Sequence, residues 1–173
     1  MVTGDRFAQQ ARNGNYIGIA YSKLDCQAFV EKVLKDCGIS YNWRGSNHMW
    51  REALSEKHEK TDIEKIPVGA WLFTVRNDGG ERNRGYNDNE GNAKHVGIYL
   101  GDGDVIHSTS PNGVQWDSVF SERWTHWGKC RFIDYSESPE QNNKPENLLD
   151  ILEMLETATI KDLLQAARKR GWI

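Results

Sequence analysis

An α+β domain, with N-terminal helices packed on an antiparallel β-sheet and a helical hairpin at the C-terminus, is predicted by three features of the chain. Apolar residues fall at helical spacing through the first third. From Ala70 to Tyr135 the pattern changes to short apolar runs broken by turn residues. Helical spacing returns after residue 147. At 173 residues the chain suffices for one domain with a core and a small appendage. Residues 1–135 are assigned to the main domain, 136–146 to a linker and 147–173 to the hairpin.

Taken in order, a short polar helix is expected from Asp5 to Asn13, then a loop rich in Gly and Tyr from Gly14 to Leu24. Asp25 is a good N-cap for a helix whose stripe is Phe29, Val30, Val33, Leu34 and Cys37, with Gly38 as its stop. That places Cys26 in a first helical turn. A second helix is predicted from Ser46 to Lys57, with Met49, Trp50, Ala53 and Leu54 as its apolar face. Pro67-Val68-Gly69 turns the chain into a strand from Ala70 to Val75. A β-hairpin from His95 to Thr109 and strands at Val114 to Trp116 and Lys129 to Tyr135 complete the sheet.

The polar insert from Asn77 to Lys94 is long for a compact domain, and such loops tend to be functional. It is read as a mobile flap beside the site. The segment from Ser136 to Pro145 is polar, with two prolines. Beyond it, Leu148, Leu149, Leu152 and Leu155 make one helical face, and Ile160, Leu163, Leu164 and Ala167 another. Two helices of this size cannot form a core alone, so they are expected to pack on the main domain or to mediate self-association.

Composition excludes several classes of function. A net charge of -3 offers no broad basic surface, and the one basic cluster, Arg168-Lys169-Arg170, closes a predicted helix where cations are favoured anyway. Nucleic acid is therefore not an expected partner. No window approaches the roughly 20 apolar residues of a membrane span. Three cysteines at wide spacing, Cys26, Cys37 and Cys130, argue against a disulfide framework and leave at least one thiol free.

The chemistry concentrates in Cys26, His95 and His107. A thiol is only about 3 per cent ionised at pH 7, but a helix N-terminus and a neighbouring imidazolium can lower its pKa by about two units or more. The same N–H groups can hold an oxyanion. On the hairpin, Val96, Ile98 and Leu100 form one face and His95, Gly97 and Tyr99 the other. Pairing Ile106 with Ile98 in the core puts His107 opposite Gly97, on the face of His95. That register requires an odd-length turn or a bulge at Gly101-Asp102-Gly103. His107 could then hold His95 in one tautomer, giving a Cys-His-His triad. A metal site built from the same three residues lacks a fourth ligand of clear spacing, so no metal or organic cofactor is expected.

Three strings carry a family resemblance: Asp25-Cys26-Gln27-Ala28, His95-Val96-Gly97-Ile98-Tyr99 with His107 beyond, and the Pro67-to-Phe73 strand entry. Over roughly residues 14–135 they resemble the NlpC/p60 cysteine peptidases of papain-like fold. The resemblance implies Cys26 as nucleophile, His95 as general base and acid, and His107 as the orienting third residue. It implies a substrate as well: bacterial peptidoglycan or its muropeptides, cut between D-glutamate and a diamino acid. Asp25 matches the residue that helps hold the stem peptide's free amine. Gln27 departs from the family's usual Ser in the substrate-facing first turn. The upstream tyrosine that lines the site could be Tyr16 or Tyr21, and Tyr16, which precedes an Ile-Gly, is preferred.

Two rival functions are an amidase of the related CHAP type, which frees whole stems from muramic acid, and a wall-binding module with an inactive site. Trp124 and Trp127, flanking His126, are expected to line a sugar-peptide groove. The first ten residues lack an apolar signal-peptide core. Cytoplasmic synthesis followed by action on the cell wall, as in a phage or mobile-element lysin, is one localisation this suggests, and a chain trimmed of its leader fits equally.

Overall fold

The computed structural model describes residues 1–77, 86 and 90–136. Most of the expected flap, the linker beyond Ser136 and the C-terminal helical hairpin lie outside the described residues. Three helices come first: α1 (Gly4–Asn13), α2 (Cys26–Asp36) and α3 (Ser46–Glu52). A six-stranded antiparallel sheet follows, made of β2 (Leu54–Glu59), β3 (Trp71–Arg76), β4 (Asn92–Gly101), β5 (Asp104–Thr109), β6 (Gly113–Ser118) and β7 (His126–Cys130). Its strand order is β2-β7-β3-β4-β5-β6. Two short strands, β1 (Val2–Thr3) and β8 (Ile133–Asp134), form a separate parallel pair. The expected α+β arrangement is thus present, and no helix among the described residues is long and apolar enough to cross a membrane.

The helices cover one face of the sheet because their apolar stripes match it. Phe29, Val30, Val33 and Leu34 of α2 are all buried and join Trp71, Phe73, Val96, Ile98 and Ile106 of the central strands in one core. Burying each such side chain contributes about 1.5–3 kcal/mol, which fixes α2 over β4 and β5. A smaller core lies on the opposite face, where Leu72, Tyr99 and Val105 pack with Val119, Trp124 and Trp127.

The hairpin register matches the expectation: Gly97 pairs with His107 and Ile98 with Ile106. A bulge, not an odd turn, delivers it. Asp102 and Gly103 both adopt positive φ, 53° and 85°, as a two-residue turn requires, and the register shifts between Tyr99 and Gly101.

Two expectations fail. The second helix stops at Glu52, and Leu54–Glu59 is strand β2, paired with β7. Leu54 alone of that strand is buried, so the helical stripe read through Ala53 and Leu54 joined two elements. Leu54 pairs with Cys130 of β7 and lays its side chain over Gly128, where a Cβ would sit 2.5 Å from Leu54 Cδ1, and this long-range pairing overrode local helix propensity. The strand expected over Lys129 to Tyr135 is likewise two, β7 and β8, separated by a turn at Arg131 and Phe132.

Candidate active site

Asp25 caps α2: its side chain accepts the Ala28 N–H at 2.8 Å, so the helix begins at Cys26. The Cys26 side chain is buried, and the backbone N–H groups of Gln27 and Val96 and the Tyr21 hydroxyl are the donors near its sulfur that favour the thiolate. The Val96 N–H belongs to the peptide joining His95 to Val96, so the thiol rests against the middle of the histidine-bearing strand β4. Burial nevertheless pushes the Cys26 pKa up, and the Asp25 carboxylate adds to this, against the opposing pull of those three donors. The lowering that a helix N-terminus suggested is therefore outweighed by desolvation.

The two histidines meet as the register demands. His95 Nε2 lies 2.8 Å from His107 Nδ1, so that contact engages one nitrogen of each ring and leaves His95 Nδ1 outside it. His107 is fully buried, and burial pushes its pKa down to about 4, with the nearby Arg123 guanidinium adding to the shift. His95 is lowered further, to about 3, by burial first, then by His107 and Arg123, with Asp117 opposing. Both rings are held neutral at physiological pH.

Trp124 holds the pair from the side. Its ring stacks on His95 at 5.5 Å between centroids and meets His107 edge-on at 5.1 Å. It fits because position 97 is glycine: a Cβ there would lie 2.7 Å from the indole and 3.1 Å from His107 Cβ. The expected exposed groove residues Trp124 and Trp127 are in fact 1% and 5% exposed. Both pack in the second core, Trp127 from the inner strand β7 and Trp124 from the connection that leads into it.

A cavity of about 370 Å³ opens beside the thiol. Tyr21, Asp25, Cys26 and Gln27 line one side, Gly45 with the start of α3 at Ser46 and Asn47 another, and Asn92, Ala93 and Lys94 lead from it along β4 to His95. Ser46 fastens the start of α3 to β4 by donating to the Ala93 carbonyl at 2.7 Å. Gln27 is part of the wall, but its amide nitrogen is taken by Glu31 at 2.8 Å and the Trp43 carbonyl at 2.6 Å. Only its oxygen is left for a ligand.

Tyr16 does not reach this cavity. Its ring is buried edge-on against Phe29, and its hydroxyl lies between Gln10 at 3.0 Å and Asp36 at 2.5 Å, ties that hold α1 to α2. Burial and the Asp36 bond push its pKa up to about 12. Tyr21 is the tyrosine at the thiol. Burial, Cys26 and Asp25 all raise its pKa, so it remains a donor.

Sequence reasoning also passed over Ser108. Its hydroxyl donates to the Leu24 carbonyl at 2.5 Å, pinning the approach to Cys26 onto β5 next to His107. Arg123 and Asp117 were missed as well. Arg123 Nη1 lies 3.4 Å from His107 Nδ1, and Asp117 Oδ2 lies 3.7 Å from His107 Nε2. Neither residue sits in a motif, and only the fold brings them to the histidines. Among the described residues no group of three or more His, Cys, Asp or Glu side chains is arranged to hold a metal ion.

No curated protein matches the sequence significantly. Among solved structures, an NlpC/P60 family protein from Bacillus cereus superposes with a TM-score of 0.54 at 21% identity, covering 74% of this chain and 40% of its own. The chain thus spans less than half of that protein. The NlpC/p60 domain of the peptidoglycan hydrolase SagA gives 0.52 at 23% identity, covering 74% of this chain and 99% of that domain. RipD from Mycobacterium tuberculosis, described as a non-catalytic NlpC/p60 protein adapted to peptidoglycan binding, gives 0.50 at 13% identity over 73% of this chain and 95% of its own. The sequence profile of the NlpC/P60 family matches residues 11–131, a span that holds Cys26, His95 and His107 together with the helices and sheet that carry them, and the chain belongs to that family.

Proposed function

We propose that the protein is a cysteine peptidase that hydrolyses amide bonds in peptidoglycan stem peptides, with D-glutamyl-diamino acid linkages as its substrate. The observation that carries this reading is the 2.8 Å contact between His95 Nε2 and His107 Nδ1, set beside a thiol whose sulfur lies against the His95–Val96 peptide and opens on a cavity. Similarity to a domain named as a peptidoglycan hydrolase supports the substrate class.

In this mechanism the resting pair is a neutral thiol and a neutral imidazole, in keeping with the raised Cys26 and lowered His95 pKa values. As the sulfur attacks the scissile carbonyl carbon, His95 Nδ1 takes the thiol proton. The oxyanion draws on the donors near the sulfur, the Gln27 and Val96 N–H groups and the Tyr21 hydroxyl. One such donor is worth about 2.7–4 kcal/mol in comparable hydrolases. The imidazolium then protonates the leaving amine, and the C–N bond breaks to give a thioester. Water, deprotonated by His95, cleaves the thioester and restores the thiol.

The test is mass spectrometry of purified peptidoglycan digested with the wild-type protein and with Cys26→Ala. Cysteine-dependent fragments ending in D-glutamate are the expected result. Intact stems released from muramic acid would move the assignment to an amidase. Retention of wall binding by both proteins, with no fragments from either, would replace hydrolysis by binding, the role described for RipD.

A further inference from the structure

We propose that Arg123 is a positioning residue of the site: by directing a guanidinium N–H at Nδ1 of His107 it makes that nitrogen an acceptor, which forces His95 to carry its proton on Nε2 and its lone pair on Nδ1. The inference rests on the catalytic reading above, which it deepens.

Either of two proton arrangements satisfies the 2.8 Å bond between the rings. His95 can donate from Nε2 to His107 Nδ1, or His107 can donate from Nδ1 to His95 Nε2. Only the first leaves an unprotonated Nδ1 on His95 to receive the thiol proton. In the second that nitrogen bears the hydrogen, and the base is lost. In serine hydrolases the wrong imidazole tautomer costs about 10⁴-fold in kcat.

Arg123 discriminates between them because a guanidinium has donors and no acceptor. Its Nη1, 3.4 Å from His107 Nδ1, is compatible with a lone pair there and opposed to an N–H. On the far side of the ring Asp117 agrees: its Oδ2, an acceptor only, lies 3.7 Å from His107 Nε2. The Gln115 amide nitrogen lies 3.4 Å from the same atom, so a half-turn of that amide is needed to bring its oxygen to an N–H there. Asp117 Oδ2 is also 3.9 Å from Arg123 Nε, so one carboxylate orients the guanidinium and faces the imidazole N–H.

Arg123 is held by a laced segment of backbone. Thr74 Oγ1 donates to the Arg123 carbonyl at 2.9 Å, and the Thr125 N–H reaches the Phe73 carbonyl at 3.0 Å. Lys60 Nζ donates to the Val119 and Ser121 carbonyls at 2.8 and 3.0 Å. The same segment delivers Trp124 onto His95, so one connection between β6 and β7 supplies both the stacking ring and the polar lock.

The experiment compares the wild-type chain with Arg123→Gln and Arg123→Lys by two measurements that need no natural substrate. Side-chain ¹⁵N NMR reads the tautomers of His95 and His107, and iodoacetamide reads the alkylation rate of Cys26. Both rings are expected as Nε2–H tautomers in the wild type. Arg123→Gln should populate Nδ1–H on His107 and slow alkylation at neutral pH roughly tenfold or more, and Arg123→Lys, which keeps a cationic donor, should recover most of the rate. Wild-type tautomers and an unchanged rate in folded Arg123→Gln would overturn the proposal, as would an Nδ1–H His107 in the wild type. If the tautomers follow Arg123 while peptidoglycan stays uncut, the hydrolase reading fails and this one stands.

Discussion

Gly97 and His107 face each other across β4 and β5, and the room left by the missing side chain is filled by His107 and the Trp124 ring. The glycine is thus a steric requirement of the histidine pair. A methyl group at position 97 would have the His107 Cβ on one side and a fully packed indole on the other. Gly97→Ala is expected to destabilise the fold by about 1–3 kcal/mol, the usual range for overpacking. It should lower hydrolysis by far more than the residual folded fraction accounts for, because the two rings are displaced from each other. Thermal denaturation and a muropeptide assay on the same preparation decide the matter. Full activity in the folded variant would show that the close contact is dispensable.

The neutral histidines make stability depend on acid. His107 titrates at about 4 in the folded protein and near 6.5 when unfolded, because burial excludes its charged form. Between those values the unfolded chain binds a proton that the folded chain does not, so stability rises with pH across the window and is lost as pH falls below about 6.5. At about 1.4 kcal/mol per pKa unit, His107 accounts for something on the order of 3 kcal/mol. His95 adds to this, discounted for its partial exposure to solvent. Melting temperatures from pH 4 to pH 7 should therefore climb in the wild type and climb less steeply in His107→Asn. Parallel curves would rule out His107 as the source.

What could be read in the sequence followed from local rules. The Asp25 cap, the stripe of α2 and the alternation around Ile98 and Ile106 each depend on neighbours three or four residues apart or directly across a short hairpin. They placed Cys26 and paired the histidines without knowledge of the rest of the fold. Long-range pairing set the remainder. Leu54 looked helical beside Met49 and Trp50 but belongs to β2, because β7 arrives from more than seventy residues away to pair with it. Trp124 looked exposed for the same reason, since its local sequence is polar while its packing comes from β3, β4 and β5. Arg123 and Asp117 have no local signature at all.

The choice between the two tyrosines gives a direct test. Tyr21→Phe removes a hydroxyl that favours the Cys26 thiolate and lies on the cavity-lining Tyr21, so kcat should fall by one to two orders of magnitude, or about 1.4–2.7 kcal/mol, with little change in melting temperature. Tyr16→Phe removes a bond between α1 and α2, so it should cost about 1 kcal/mol of stability and leave kcat intact. The opposite pattern would return the role to Tyr16.

Asp25 serves the fold and, on the proposed reading, the substrate, and the two uses can be separated by chemistry. As N-cap it needs only an oxygen to accept the Ala28 N–H, which asparagine also supplies. As partner of a stem peptide's ammonium group it needs its negative charge, which asparagine lacks. Asp25→Ala should lose about 1 kcal/mol of stability together with activity. Asp25→Asn should keep the melting temperature but raise KM about tenfold for muropeptides with a free amine, since a hydrogen bond to a charged group is worth about 1.5–3 kcal/mol. Acetylating that amine removes the charge on the other side of the same contact. Acetylated substrates should therefore bind the wild type as weakly as free ones bind Asp25→Asn, and the variant should be insensitive to acetylation. If acetylation instead weakens both proteins equally, the amine is recognised elsewhere, and Asp25 is left with the helix cap alone.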